Sequence, residues 1–421
     1  MVSPISSERV QTSSPVRYNP VQQLILPRPV IAFLTYLAAR GKCYLAGGAV
    51  RDLMLNRQPA DFDLVSDLTP DQLAAAFPQA KEMMNVTKTF ILHLEGIEIE
   101  ITPMQNKGYS RIEDDLIQRD LTINAMALPF LLRNGKVTVG TLLDPTGKGV
   151  EDLIAGRIRF GRKVAGDTLL RACRFMAKFD FQFDEEQKQL VSENRKLVIE
   201  LPPEKAQVEI QKLLEASDPV PTLQLMRETG LLEEMLKFSG APDRSRLEKA
   251  DLEKVAKADK SVRLIVLLKE LGYTSKDVVR FLNKYRYSSY EIKRTQKLLA
   301  AIEAAEQNLP AMAKSDRAIR EALFQLVGNK EKNQYLADYI ELLKLFYTLS
   351  DTMEIRIRNA ARSPLSIKEL KVTGNDIMEQ GISNRHIGEA LNYLLQLVIA
   401  DPELNQRETL LNELAAFKRD Q

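Results

Sequence analysis

The 421-residue chain has no tryptophan, two cysteines and two histidines. Cys43 and Cys173 cannot by themselves build a disulfide framework or a zinc site. Both lie in apolar contexts and read as small core residues. His93 and His386 are too few for a His-rich metal centre or for a phosphohydrolase site made of clustered His and Asp, and neither has a catalytic partner in sight. No apolar run approaches roughly 18 residues, so no membrane span is expected. The first twenty residues are rich in Ser and Pro without an apolar stretch, which excludes a secretory signal. A reducing, cytoplasmic setting follows as the expectation. Charge of one sign is also missing: 59 Lys+Arg stand against 57 Asp+Glu, so the overall balance does not announce a nucleic-acid binder.

What is present fits a globular protein, with 44% hydrophobic and 28% charged residues. At roughly 150 residues per domain, the length suggests two to four domains. Residues 1–24 read as a flexible leader. Residues 29–40 read as a helix with Pro29 at its start. From about 41 to 161 short strands alternate with turns and helices. Cys43-Tyr44-Leu45-Ala46 is a strand ending in two glycines, Asp61 to Val65 alternates polar and apolar, and residues 90–94 and 97–101 form a hairpin around Glu95-Gly96. Helices are expected over 50–55 and 69–77. From about 165 onward strand signals nearly vanish and helical spacing continues, as with Val208, Leu213 and Leu214, then Leu223, Leu225 and Met226. The fold class expected is α/β plus all-α.

Three local features carry chemistry. On a strand, residues i and i+2 share a face, so Asp61 and Asp63 place two carboxylates side by side. They repel unless a cation lies between them, and an all-oxygen ligand set of this kind suits Mg²⁺. The alternative is an edge strand with two solvated aspartates. The second feature is Gly47-Gly48-Ala49-Val50-Arg51-Asp52, between a strand and a helix. Glycines there let a backbone approach phosphates, a helix N-terminus favours anions, and Arg51 is a bidentate phosphate donor. A plain tight turn would look the same. About ten residues separate it from Asp61, the layout of nucleotidyl transfer. The third is Arg119-Asp120-Leu121-Thr122-Ile123-Asn124, a loop entering a helix with polar residues beside apolar ones.

Taken in order, GGAVRD (47–52), DFD (61–63), RDLTINAMA (119–127), DPTGKGVEDLIAGRIR (144–159) and LLRACRF (169–175) resemble the class II tRNA nucleotidyltransferases and bacterial poly(A) polymerases. The likeness covers roughly residues 41–235 and continues through EKAQVE (204–209) and LMRETGL (225–231). Residues 364–376 and 401–405 resemble the C-terminal body of bacterial CCA-adding enzymes that lack an HD domain.

The resemblance implies a polymerase-β-like head with a mixed sheet (25–163), a helical neck on the nucleotide side (164–235), and a helical body and tail that hold tRNA (236–421). It implies Asp61 and Asp63 as the Mg²⁺ ligands of a two-metal attack by an RNA 3′-hydroxyl on the α-phosphate. Glu100 stands where the family often has a third strand carboxylate, although Glu98 shares its face and both could be solvated. Gly47, Gly48, Arg51, Arg119, Asp120, Asn124, Arg171 and Arg174 match nucleotide-contacting positions. Arg171 and Arg174 share one helical face, which could also be a solvated basic face. The implied partners are CTP, ATP and the acceptor and TΨC arms of tRNA, with no membrane and no obligate protein partner.

The sequence departs from the family in three places. Its base-selecting Glu-Asp-x-x-Arg segment falls on Val164, Ala165 and Thr168, none of which supplies the expected hydrogen bonds; a local deletion would put Asp167 at the Asp position. The segment from Thr102 to Asp114 is short, at the loop expected to move between C and A addition. The glycine usual before the third strand is replaced near Lys88.

Residues 241–300 hold 15 Lys+Arg and 8 Asp+Glu. In this basic stretch Lys276, Arg280, Lys284, Arg286, Lys293 and Arg294 interleave with Tyr285, Tyr287 and Tyr290, a pattern that suits an RNA backbone and a stacked base or a soluble face over core tyrosines. The function expected is completion or repair of the tRNA CCA end. The alternatives are poly(A) synthesis, partial addition of CC or A, and a catalytically silent RNA-binding paralogue.

Overall fold

A computed structural model describes residues 26–78, 80–82, 89–104, 108–236, 244–326 and 332–419. The expected leader (1–24), Gln105 to Lys107 of the shortened loop and the Lys88 position lie outside the described residues. The chain divides into two compact units, residues 1–200 and 201–421. The boundary falls within the segment 164–235 expected as a neck.

The first unit is organised by alternation along its strands. They are β1 (Cys43–Ala46), β2 (Asp61–Ser66), β3 (Lys81–Glu82), β4 (Phe90–Leu94), β5 (Ile97–Pro103), β6 (Ala127–Arg133) and β7 (Lys136–Val139). Among the described residues they form one sheet in the order β3-β4-β5-β2-β1-β6-β7. The β2–β5 pair is parallel and the other pairs antiparallel, so the sheet is mixed. The register sets Phe62 against Ile99, Leu64 against Ile101, and Leu45 against Leu64 and Leu128. All of these are buried, so this face is dry. Helix α1 (Arg28–Ala38) is the element expected over 29–40; it buries Val30, Phe33, Leu34 and Leu37.

On the opposite face Asp61 and Asp63 pair with Glu98 and Glu100. Further along that face Ala46, Val65 and Ala127 pack with Met104, Ile112 and Leu116, so helix α4 (Ile112–Ile117) covers one end and leaves the carboxylate end open.

Helix α2 (Gly48–Met54) follows β1 directly. Helix α3 (Pro70–Ala76) is started by a Thr69 capping box with Gln72. Helices α5 (Gly149–Ala155), α6 (Gly166–Phe179) and α7 (Glu185–Asn194) complete the unit. Cys43 and Cys173 are both buried and free. The β6–β7 hairpin was not anticipated, because Leu-Leu-Arg-Asn-Gly-Lys lacks a clean alternation; its turn residues Asn134 and Gly135 both have positive φ (49° and 72°), the Asn-Gly signature of a two-residue hairpin loop. His386 belongs to a short 3₁₀ turn, Asn384–His386, just before its helix.

The second unit is helical throughout its described residues. Its helices are α8 (Pro203–Leu214), α9 (Val220–Glu228), α10 (Leu231–Leu236), α11 (Arg244–Lys249), α12 (Glu253–Lys257), α13 (Arg263–Glu270) and α14 (Asp277–Lys284). They are followed by α15 (Ser289–Lys314), α16 (Asp316–Leu326), α17 (Lys332–Tyr347), α18 (Asp351–Ala360), α19 (Gly374–Glu379), α20 (Ile387–Ala400) and α21 (Arg407–Arg419). Leu213 and Leu214 are buried, but Val208 is exposed: it sits on the outer face of α8. Arg263 is buried and donates to the carbonyls of Leu214, Ala216, Ser217, Ala256 and Ala258, tying the ends of α8 and α12 to α13.

Candidate active site

Strand β2 projects Asp61 and Asp63 onto the open face, with Asp61 exposed and Asp63 half-buried. Glu100 is the register partner of Asp63 on β5. Its carboxyl is pushed above the ordinary carboxylate range by burial, and then by the charges of Asp63, Glu98 and Asp61. The three carboxylates named in advance are therefore close enough to repel one another. No preformed group of three or more His, Cys, Asp or Glu ligands occurs among the described residues. Two aspartates on a face of concentrated negative charge fit a hard cation that takes its remaining ligands from water and phosphate oxygens.

Gly47 stands beside this face at φ 74°, a conformation that favours glycine. A Cβ there would collide with Arg119 Nη1 and lie 3.5 Å from Asp63 Oδ2. The close approach thus brings a guanidinium up to the carboxylate strand. Gly47's own N–H donates to Met126 O at 3.1 Å. Its amide is therefore occupied by the framework. Gly48 opens α2 with Arg51 Nη2 3.3 Å from the position a Cβ would take.

Arg51 also differs from expectation. Its side chain is only 5% exposed. Nε and Nη2 bind Asp52 Oδ1 at 2.8 and 2.7 Å, and Nη1 donates to Asn124 Oδ1 at 2.6 Å. The guanidinium lies over the rings of Phe175 and Phe179 on α6, with centroids at 4.5 and 4.7 Å. A group enclosed this way braces the site and does not reach a phosphate in this conformation.

From Arg51 the polar chain runs outward. Asn124 Nδ2 donates to Asp120 Oδ1 at 3.2 Å, and Arg171 Nη1 donates to Asp120 Oδ2 at 2.6 Å. Arg171 is the open end, with a side chain 39% exposed. Arg174, half-buried one turn along α6, lies over Phe175 at 4.2 Å. Arg119 is oriented by Asp115, which accepts from Nε and Nη2 at 3.3 and 3.1 Å. The structure thus brings together Gly47, Gly48, Arg51, Arg119, Asp120, Asn124, Arg171 and Arg174.

Sequence reasoning missed the carboxylates that hold these cations. Asp52 is adjacent to Arg51, and Asp115 is four residues before Arg119; that spacing was the available signal. It also missed the anchor Asp152, whose side chain is fully buried and accepts from Thr122 Oγ1 and Arg159 Nε. That pair of bonds ties the 119–127 segment to the 144–159 segment. The α6 entrance carries the departure read from the sequence: Ala165 is an N-cap with no side-chain bond, Thr168 is buried, and Asp167 Oδ1 accepts from Thr168 N–H.

The sequence profile of the Poly A polymerase head domain matches residues 43–159. Those described as "Probable RNA and SrmB-binding site of polymerase A" and tRNA nucleotidyltransferase domain 2 match residues 180–239 and 258–414. The chain belongs to the tRNA nucleotidyltransferase and poly(A) polymerase family. Within this nucleotidyltransferase family, a CCA-adding enzyme of Bacillus velezensis is 26% identical over 94% of this chain and 99% of its own length. A CC-adding tRNA nucleotidyltransferase of Halalkalibacterium halodurans is 32% identical over 45% of this chain and 49% of its own. Among solved structures, the Bacillus stearothermophilus CCA-adding enzyme in complex with CTP is similar with a TM-score of 0.71 at 22% identity, covering 94% of this chain and 99% of that one. The Thermotoga maritima CCA-adding enzyme complexed with tRNA has a TM-score of 0.67, also at 22% identity, covering 94% and 98%. At this identity the likeness is one of fold, and it includes the polymerase-β-like head.

In the helical unit, Lys276, Arg280, Arg286 and Lys293 are exposed and Lys284 is half-buried. Arg294 is committed elsewhere: it binds buried Asp338 through Nε at 2.9 Å and Ser261 O through Nη2 at 2.9 Å. Tyr285 and Tyr287 are buried, and Tyr285 OH donates to Met235 O, so of the three tyrosines only Tyr290 offers a ring to solvent. No described helix is long and apolar enough to cross a membrane.

Proposed function

We propose that this chain is a template-independent, Mg²⁺-dependent RNA nucleotidyltransferase that completes or repairs the 3′-terminal CCA of tRNA from CTP and ATP. One observation carries the reading: the Asp61–Asp63 carboxylates lie on an open sheet face, with the guanidinium of Arg119 brought against that face at Gly47. The family supplies the reaction class, and the names of the full-length relatives supply the substrate.

In this reading Asp61 and Asp63 hold the metal and Glu100 supports them. Bound Mg²⁺ would polarise the α-phosphate and make the RNA 3′-hydroxyl a better nucleophile. Arg119, Arg171 and Arg174 are the cations for the triphosphate. Asp120 aims Arg171, and the buried Arg51–Asn124 bond aims Asp120, so the donors are set before substrate arrives. Residues 25–163 serve as the catalytic head and 164–235 as the nucleotide-side neck. Residues 236–421 hold the acceptor and TΨC arms through Lys276, Arg280, Lys284, Arg286 and Lys293. The substrates place the work in the cytoplasm.

A second reading, addition of CC alone, is favoured by one feature. The α6 entrance lacks the base-reading side chains, and a partial relative is a CC-adding enzyme. The test is primer extension with each labelled nucleotide on tRNA lacking three, two or one terminal residues, plus an unstructured RNA. Addition of C, C and A confined to tRNA is expected. Stopping after CC selects the second reading, and long A tails on any RNA overturn both.

A further inference from the structure

The first unit carries a cationic cluster that the proposed grip on the triphosphate does not use. It gathers at Phe179, the last residue of α6. Three cations rest on that one ring: Arg51 Cζ lies 4.7 Å, Arg57 Cζ 5.0 Å and Lys178 Nζ 5.1 Å from its centroid. Arg51 is committed, since it is buried and bound to Asp52 and Asn124. Arg57 and Lys178 are exposed, and neither enters a salt bridge among the described residues.

The positive charge here is in excess. The Lys178 ammonium is held below the ordinary lysine value by partial burial and then by a balance of charges, in which Asp52 raises it and Arg51, Arg174 and Arg57 lower it. Asp52 is the one carboxylate in that set, and its Oδ1 already binds Arg51 Nε and Nη2. Four cations around one carboxylate attract an anion.

Placement says which anion. Arg171, Arg174 and Lys178 fall at i, i+3 and i+7 of α6, along one face of the helix. Lys178 lies about 10 Å along the axis beyond Arg171, the residue that binds Asp120. From the other side, Arg57 precedes Asp61 by four residues, so at most about 14 Å of chain separates it from the carboxylate strand. The pair thus stands past the cations assigned to the triphosphate. It is still within reach of the last nucleotides of a strand whose 3′-hydroxyl lies at Asp61 and Asp63. Cations of this kind take backbone charge and position a strand without reading its sequence.

We propose that Arg57 and Lys178 hold the phosphodiesters nearest the 3′ end of the RNA being extended. The inference deepens the proposed function and rests on it. A backbone grip is the same whichever base ends the strand, so it serves every addition.

The experiment uses the full chain and 5′-fluorescein-labelled tRNA ending in CC, with its last two linkages either native or replaced by neutral methylphosphonates. Anisotropy without nucleotide gives the affinities. Wild type should bind the neutral-linked tRNA about tenfold more weakly, the worth of a charged hydrogen bond. Arg57→Gln/Lys178→Gln should bind native tRNA about tenfold more weakly and lose nothing more to the methylphosphonates, the coupling expected of direct contact. Lys178→Arg should behave as wild type. The melting temperature of the double variant should stay level or rise, because like charges have been removed. In primer extension its KM for tRNA should rise and its KM for ATP should not. A wild type indifferent to the methylphosphonates, a double variant that still loses affinity to them in full, or a raised KM for ATP alone would overturn the proposal; the last would assign the pair to the triphosphate. A lower melting temperature with equal losses on both RNAs would mark the residues as structural and overturn it too. Absence of nucleotide addition with the charge effect intact would sink the proposed function and leave the phosphate site, and addition without the charge effect would do the reverse.

Discussion

Arg51 and Asn124, 73 positions apart in the chain, meet through a 2.6 Å hydrogen bond inside the first unit. That bond joins the turn after β1 to the 119–127 segment, and through Asp120 it reaches the open guanidinium of Arg171. The carboxylate strand and the cationic wall are thereby parts of one braced frame.

Replacing Arg51 should therefore act first on stability. Arg51→Met leaves the Asp52 carboxylate and Asn124 Oδ1 without their guanidinium partner in the interior, while Asn124 Nδ2 keeps its bond to Asp120, a loss of about 3–5 kcal/mol by comparison with other broken buried pairs. Denaturant unfolding measures it. A loss below about 1 kcal/mol would mean that solvent readily replaces the guanidinium.

Asp61→Ala and Asp63→Asn should each remove nucleotide addition while leaving tRNA affinity nearly unchanged. Primer extension and anisotropy on the same preparations separate the two effects. Activity that survived either substitution would displace the metal assignment from β2.

Ala165 heads α6 without a side-chain cap. Ala165→Asp should raise stability by about 0.5–2 kcal/mol, because an aspartate there accepts from the first free N–H groups. It also restores an acceptor at the expected base-reading position. Competition between CTP, ATP, UTP and GTP should show narrower selection than wild type. Unchanged selection would put base reading elsewhere in the site.

Asp376 caps α19 through the Thr373 N–H and hydroxyl and binds Arg407 of α21. The Thr373 hydroxyl, then Arg407 and the Thr373 N–H, hold its carboxyl down at about 2, below the ordinary value of 3.8. A depressed carboxyl contributes stability above its unfolded value and loses it as pH falls through the folded one. The gap in melting temperature between wild type and Asp376→Asn should thus close between pH 5 and pH 2. A gap that stayed constant over that range would show that the ionised carboxylate is not the stabilising form.

The parts of the head legible in sequence were those whose period is short. Asp61 to Val65 and residues 97–101 alternate, so their faces could be read directly. The β6–β7 hairpin was missed although Asn134-Gly135 marks its turn, because Pro129 and the run Leu131-Leu132 blur the alternation. Most of the residues that gather at the site were named in advance. The depth of Arg51 was not, since burial of a guanidinium depends on Phe175 and Phe179, more than a hundred positions away. Likewise the stretch holding Tyr285, Tyr287 and Arg294 read as a surface for RNA or as a soluble face over core tyrosines. Their burial and pairing come from α10, α13 and α17, which local patterning does not reveal.

The parallel pairing of β2 with β5 has a consequence for how the protein comes to life. Antiparallel neighbours such as β4 and β5 can zip from a two-residue turn, but β2 must wait for a crossover of some thirty residues to close. Long-range parallel pairing is intrinsically slow. On the ribosome, Asp61 and Asp63 emerge well before the strand carrying Glu100. Asp63 meets Glu100 only when β5 docks, so the carboxylate cluster proposed to hold a cation arises with the native sheet.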